Sequence, residues 1–188
     1  MRLMAYFVMI ILISGCTAVR VRDVPGTRWT NLQAQELTGW WCSVRDKELL
    51  RSELTAKSEL LIGSISRRAD DQFEFMDSIA VPTRVGDRDL LCVRIKTKIE
   101  SEAGYGFMLM RRDGIDKITL LFPNGDNIKQ MVADGKIKGK LLSYENSKKS
   151  FVNVTENDMN FLGVLKDAPI DEIFDERFKI ELKRLKLP

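Results

Sequence analysis

The chain has 188 residues, a formal net charge of +3 and no histidine. Its length suits one domain with a substantial core, and a charge this small and mixed in sign argues against nucleic acid as a partner. The absence of histidine excludes a Ser-His-Asp triad, a Cys-His pair, and zinc, copper or haem bound through histidine. We therefore expect neither a metal nor a cofactor.

The N-terminus has the pattern of a secretory signal. Arg2 precedes an apolar run from Leu3 to Ile13, which is too short for a membrane span of about 20 residues. The tetrapeptide Ile13-Ser14-Gly15-Cys16 follows and resembles the lipobox of bacterial lipoproteins. That resemblance implies cleavage before Cys16, lipidation of its thiol and a membrane anchor. Because Thr17 is not a retention aspartate, it also implies the periplasmic face of the outer membrane.

The sequence predicts three segments. Residues 1–15 form the lipoprotein signal peptide, and residues 16–28 form a lipidated tether that ends near the structure-breaking Pro25-Gly26. Residues 29–188 form a single β-barrel domain, because no repeat or second composition regime follows.

The body begins with a short helix and then turns to strands. Thr30 is a candidate cap for a helix over Asn31 to Leu37, and Gly39 to Val44 begins the first strand. Asp46 to Ser58 fits a helical face but has no cap. Alternation with period two then predicts strands near residues 60–65, 73–81, 91–99, 105–109, 118–122, 151–154 and 178–182.

Turn and cap signals complete the pattern. Pro82 is expected to stop its strand, Asp134-Gly135 predicts a hairpin, and Thr155 is a candidate start of a late helix. One apolar and one charged face on residues 91–99 favours antiparallel pairing. We predict an all-β fold, an antiparallel up-and-down barrel of 8–10 strands with a helix before the last strand.

A short motif makes the barrel prediction more specific. Gly39-Trp40-Trp41 resembles the Gly-x-Trp signature on the first strand of lipocalin-like (calycin) barrels. The resemblance implies that Trp41 plugs the barrel base next to Gly39. It also implies that a basic residue of the last strand, here Arg184, packs across the tryptophan ring as a cation–π contact.

The same alternation predicts the residues that face inward. These are candidates for lining a ligand pocket: Phe73, Phe75, Tyr105, Phe107 and Phe122. An eight-stranded barrel is just wide enough either to fill itself with side chains or to hold one small ligand. Both alternatives remain open at this point.

Two cysteines remain once Cys16 is assigned to lipid. An even pair in an exported protein favours a disulfide, and the alternation predicts that Cys42 and Cys92 both point out of the barrel. The alternative is two unpaired thiols. Adjacency of their strands is not evident from the sequence.

Three functions follow from these patterns. The first is a lipid-anchored, lipocalin-like module that binds a small apolar or amphipathic ligand. The second is a structural or assembly lipoprotein that docks another envelope protein, favoured by a filled barrel with a large exposed apolar patch. The third, an enzyme that uses carboxylates, has no distinctive motif, and we expect no enzyme.

Overall fold

A computed structural model describes residues 18–45, 48–67, 72–95, 103–143, 150–155 and 159–186. The strands are β1 (Ala18–Val21), β2 (Thr27–Arg28), β3 (Gly39–Ser43), β4 (Leu49–Leu54), β5 (Leu60–Arg67), β6 (Phe73–Val85), β7 (Arg88–Ile95), β8 (Gly104–Arg112), β9 (Lys117–Pro123), β10 (Gly139–Ser143), β11 (Ser150–Val154) and β12 (Phe174–Arg184). The helices are α1 (Asn31–Gln35), α2 (Gly125–Ala133), α3 (Met159–Asp167) and α4 (Ile170–Ile173). None of these helices is long and apolar enough to cross a membrane.

Eight of the strands form a closed antiparallel barrel. Strands β3 to β9 pair each with the next, and β12 pairs with both β9 and β3, which closes the ring. Helices α3 and α4 precede β12. The predicted all-β, up-and-down, lipocalin-like barrel with a helix before the last strand is therefore confirmed, with eight strands in the ring.

The chain between β9 and β12 is an insertion that covers part of the outer wall. It contains α2, β10, β11, α3 and α4. Strand β11 pairs in parallel with β1, and β1 in turn pairs with β8 at Val21 and Tyr105. Arg88 of β7 ties α3 to the barrel, because its guanidinium donates to the carbonyls of Leu165 (2.9 Å) and Ala168 (2.5 Å).

The barrel wall therefore separates two hydrophobic cores. Successive residues of a strand point to opposite faces, and on β6 to β9 both faces are apolar. The inner core contains Ala80, Leu91, Met108 and Leu120, among others. The outer core lies between the wall and the insertion, and it contains Val81, Leu90, Cys92, Phe107, Leu109, Leu121, Phe161, Leu165 and Phe174.

Residues 18–28 are not a free tether. Val19 and Val21 of β1 are buried in the outer core, and β2 pairs with β6. The prediction of a tether over residues 16–28 is therefore wrong for its described part, because alternating small and β-branched residues complete a sheet here. Strands β1 and β2 are therefore part of the folded domain, which was predicted to start at residue 29.

Two local predictions are also corrected, and one stretch that the sequence left open is assigned. Asp134-Gly135 ends helix α2 instead of turning a hairpin, because Asn124 caps a helix at Gly125. The ambiguous stretch after Asp46 forms strand β4. Pro82 does not stop β6, which continues to Val85 and pairs Pro82 with Leu91.

The base of the barrel is closed by α1 and two tryptophans. Thr30 and Gln33 form a capping box that begins α1. Buried Trp41 donates from its indole nitrogen to the carbonyl of Leu37 (3.0 Å), just after the helix. Trp29 is also buried, with the guanidinium of Arg112 5.0 Å from its ring centroid.

Arg184 connects the last strand to this base. Its guanidinium lies 4.4 Å from the centroid of the Trp41 ring, which is the contact that the resemblance implied. It also donates to the carbonyls of Thr38 (2.8 Å), Ile115 (3.0 Å) and Glu36. Gly39 has φ +126°, and an added Cβ would lie 3.3 Å from Arg184 Nη1. Glycine is therefore favoured there by both conformation and space.

Adjacent tryptophans provide a matched test of the base. Trp41→Ala should lower the free energy of unfolding by about 3–5 kcal/mol, because it empties a buried aromatic site. Trp40 points outward and is half-buried, with Arg51 5.3 Å from its ring centroid. Trp40→Ala should therefore cost about 1 kcal/mol or less. Both values come from chemical denaturation, and similar losses for the two variants would contradict this account of the base.

Candidate functional site

The barrel interior contains a narrow apolar space. A cavity of about 60 Å³ lies on the side of Glu48, Ser64, Met76 and Val93, which are close to the hairpin connections opposite the base. A second space of about 40 Å³ lies next to Trp41 and shares several lining residues with the first. The residues common to both are Leu50, Ile62, Leu91, Leu120 and Leu182.

These spaces are small for a ligand site. Small-molecule pockets usually measure about 300–1,000 Å³, and an apolar cavity that binds benzene measures about 150 Å³. Inward side chains of leucine, isoleucine and methionine occupy most of the barrel. Of the two alternatives left open by the sequence, the structure shows a largely filled interior.

Polar groups face the larger cavity on one side only. Ser64 is 5% exposed, and among the described residues its hydroxyl has no hydrogen-bond partner. Ser78 and the buried Glu48 line the same space. A buried hydroxyl without a partner is unfavourable by about 1–3 kcal/mol. The Ser64 hydroxyl therefore favours a water molecule or a polar ligand atom beside it.

None of the five predicted pocket residues lines either space. Phe73 and Phe75 point outward and are 65% and 72% exposed. Phe107 and Tyr105 also point outward, into or against the outer core. Only Phe122 packs against the inner core. The prediction of an inward series over Phe73, Phe75, Tyr105 and Phe107 is wrong, because their strands carry apolar residues on both faces.

The residues that line the cavity are difficult to recognise from the sequence. Ser64, Met76 and Ser78 alternate with the more hydrophobic Ile65, Phe75 and Ile79 on β5 and β6. Hydrophobicity alone therefore selects the wrong face. The useful signal is Cys92, which was predicted to point outward, because its neighbours Leu91 and Val93 then face inward, as they do here. The register of β7 with β6 then pairs Val93 with Ala80 and fixes the inner face of β6.

The two cysteines both point outward, but they do not meet. They are unbonded, with Cys42 half-buried on β3 and Cys92 buried in the outer core on β7. Three strands separate β3 from β7 in either direction around the ring. Opposite walls of a barrel are too far apart for a disulfide, which needs Cα atoms within about 7 Å. The prediction of a disulfide between Cys42 and Cys92 is therefore wrong.

An apolar surface lies on the outer wall away from the insertion. We call it the β4–β6 face and define it by Leu49, Leu61, Ile65, Phe73, Phe75 and Ile79. Leu49, Ile65 and Phe75 form one continuous cross-strand row. Leu61, Phe73 and Phe75 are exposed and the other three residues are half-buried. Contiguous apolar surface of this kind is typical of protein or membrane contacts.

No protein-family model, curated protein or solved structure matches this chain. The barrel, its narrow interior, and the β4–β6 face are therefore the features from which a function is proposed.

The cysteine geometry predicts a clear difference in thiol reactivity. Burial raises the pKa of the Cys92 thiol to about 12, because the charged thiolate is disfavoured away from water. At pH 8, a thiol-reactive dye should label Cys42 in the folded protein and Cys92 only after unfolding. Peptide mapping measures the labelled sites, and Cys42→Ser is the control that removes the native signal. A lack of labelling at both sites after unfolding without reductant would instead indicate the disulfide.

Proposed function

We propose that this protein is a lipid-anchored envelope lipoprotein that docks a protein partner through the β4–β6 face. The observation that carries the proposal is the exposure of Phe73 and Phe75, 65% and 72%, on an otherwise ordered sheet. Exposed phenylalanines in a continuous row with Ile65 and Leu49 are unfavourable in water unless a partner covers them. The role is one of binding and assembly, without catalysis.

The contrast between the two outer walls supports a docking role. On β6 to β9, outward residues such as Phe107 and Leu109 are covered by the insertion and are fully buried. On β5 and the first half of β6, the outward residues Leu61, Phe73 and Phe75 are exposed to solvent. The largely filled interior supports the same function, because a narrow cavity leaves the outer surface as the larger apolar area.

The lipobox supports a membrane anchor close to the folded domain. If Cys16 carries the lipid, only Thr17 separates it from β1, which begins at Ala18. The barrel would then lie directly at the membrane surface, on the periplasmic face of the outer membrane. A protein held this close to a bilayer meets its partners at high local concentration.

Mass spectrometry of the protein extracted from membranes tests the anchor. Cys16 should be the mature N-terminus and should carry a diacylglyceryl group and an amide-linked acyl chain, because two or more chains are needed for stable anchoring. Cys16→Ser should release the chain from the membrane. An unmodified wild-type chain that begins near Ala18, or fractionation to the inner membrane, would contradict the anchor or its location.

A photoreactive residue on the β4–β6 face tests docking. A benzoylphenylalanine placed at Phe75 in intact cells should give one light-dependent adduct, whose partner peptides are identified by mass spectrometry. The same residue at the exposed Lys129 of α2 is the control and should give none. Ile65→Lys should abolish the adduct at position 75 because it places a charge in the middle of the apolar row. Equal adducts at both positions, or none at position 75, would contradict docking.

A second function is favoured by the Ser64 hydroxyl. Its burial without a partner in the described chain fits an amphipathic ligand of only a few atoms, matched to the cavity of about 60 Å³, with a polar atom directed at Ser64 and Glu48. Native mass spectrometry of the gently extracted protein should then show a bound small molecule. Ser64→Val should remove it, because the methyl groups occupy the space and the hydroxyl is lost, whereas the outward Ile65→Val should retain it. A wild-type protein without bound mass would contradict this function.

A further inference from the structure

Two adjacent rows of outward residues cross the wall at the β4–β6 face, and β5 lies at the centre of both. In the first row, Leu49 of β4 and Phe75 of β6 flank Ile65. In the second row, Arg51 and Asp77 flank Gly63. The rows lie side by side because these positions differ by two residues along each strand, so they all point outward.

These rows are complementary to themselves. A two-fold axis that runs along β5, in the plane between two copies, would place each row opposite the same row with left and right exchanged. Leu49 would then face the Phe75 of a second copy, and Ile65 would face its own equivalent. Arg51 would face Asp77, and the same pair would form again on the other side of the axis. Such reciprocal contacts define an isologous interface.

The charged residues of the second row favour this two-fold arrangement more strongly than apolar contacts alone would. The Arg51 guanidinium already has two contacts on the wall, since it lies 5.3 Å from the centroid of the Trp40 ring and forms an ion pair with Glu53. A guanidinium held in one place loses little conformational freedom when it meets a carboxylate. Opposite charges at matched positions also set the register of the two copies.

Gly63 permits the close approach that this arrangement needs. It lies on the axis, and a Cβ added to it would meet nothing within 4 Å. The centre of the face is therefore flat, with the larger side chains of the first row beside it. Two sheets that pack face to face lie about 10 Å apart. Because glycine has no side chain at the axis, the side chains of Ile65 and Phe75 determine the distance between the two sheets.

We propose that the partner of the β4–β6 face is a second copy of this chain, in a symmetric dimer with its two-fold axis along β5. This assignment rests on the docking function proposed above and names its partner. An axis along β5 leaves equivalent ends of both barrels on the same side, as two chains anchored in one bilayer leaflet require. Two chains anchored in one membrane meet at a raised local concentration, which favours the dimer.

Gly63→Cys in the full-length, membrane-anchored chain tests the dimer. Cysteine fits at this position, and its equivalents on either side of the axis are within reach of a short bismaleimide. Cys42→Ser is included to remove the other accessible thiol. The expected product has twice the mass of the chain, and Lys129→Cys in the same background is the control that should give several-fold less.

Further substitutions test the individual contacts. Phe75→Ala should weaken dimer association by about tenfold, the effect of losing a buried aromatic anchor. Arg51→Asp should lower the crosslinked yield, and Asp77→Arg in the same chain should restore it by re-forming the pair in reverse. Each variant should retain the unfolding transition of the parent, which separates loss of the interface from loss of the fold.

Two results would overturn the dimer. One is a Gly63→Cys yield no higher than that of Lys129→Cys, and the other is a yield that Phe75→Ala leaves unchanged. If position 75 forms its photo-adduct with a different protein while Gly63→Cys stays unlinked, the self-pairing is wrong and docking stands. If position 75 forms no adduct of any kind, docking itself is wrong.

Discussion

The stacking of the Arg184 guanidinium on the Trp41 ring is the contact on which the closed barrel depends. The two residues are register partners at the point where β12 meets β3, so the contact lies on the seam that joins the last strand to the first. The same guanidinium donates to carbonyls at Thr38 and Ile115, which belong to two different connections at the base. One side chain thus joins the end of α1, the β8–β9 turn and the closing strand pair. A side chain without donors at position 184 would leave the carbonyl groups of Glu36, Thr38 and Ile115 without this hydrogen-bond partner.

The insertion between β9 and β12 determines how the rest of the wall is used. Its helices, together with β1 and β11, bury the outer side of β6 to β9 and create a second core there. Strands that are buried on both faces need apolar residues at every position, which explains Leu90, Leu91, Cys92 and Val93 in succession on β7. The opposite wall has no such cover among the described residues. The β4–β6 face is thus the part of the barrel where apolar residues remain available for a partner.

The narrow interior and the exposed face together favour assembly over transport of a ligand. Lipocalin-like barrels can be hollow or filled with side chains, and here leucine, isoleucine and methionine occupy the axis. The remaining space beside Ser64 is large enough for a few water molecules. The outer face, by contrast, carries one apolar row, Leu49, Ile65 and Phe75, and one charged row, Arg51, Gly63 and Asp77, and each of these two rows is complementary to itself about β5. That symmetry is a property of strand register, and it connects the barrel topology directly to the proposed partner.

Several features could be predicted from the sequence because they depend on neighbouring residues alone. Period-two alternation identified most of the strands, and Thr30 identified the start of α1. The role of Trp41 at the base was implied only by the family resemblance that Gly39-x-Trp41 carries. Other features depended on tertiary contacts. Whether Phe75 or Met76 faces inward follows from the pairing of β6 with β7, since local hydrophobicity favours the wrong residue. The separation of Cys42 from Cys92 follows from their places on opposite walls of the ring. Residues 18–21 form a strand because β11 and β8 supply the hydrogen-bonding partners. Alternation distinguishes two faces of a strand, but only packing against the rest of the chain decides which of them is buried and by what.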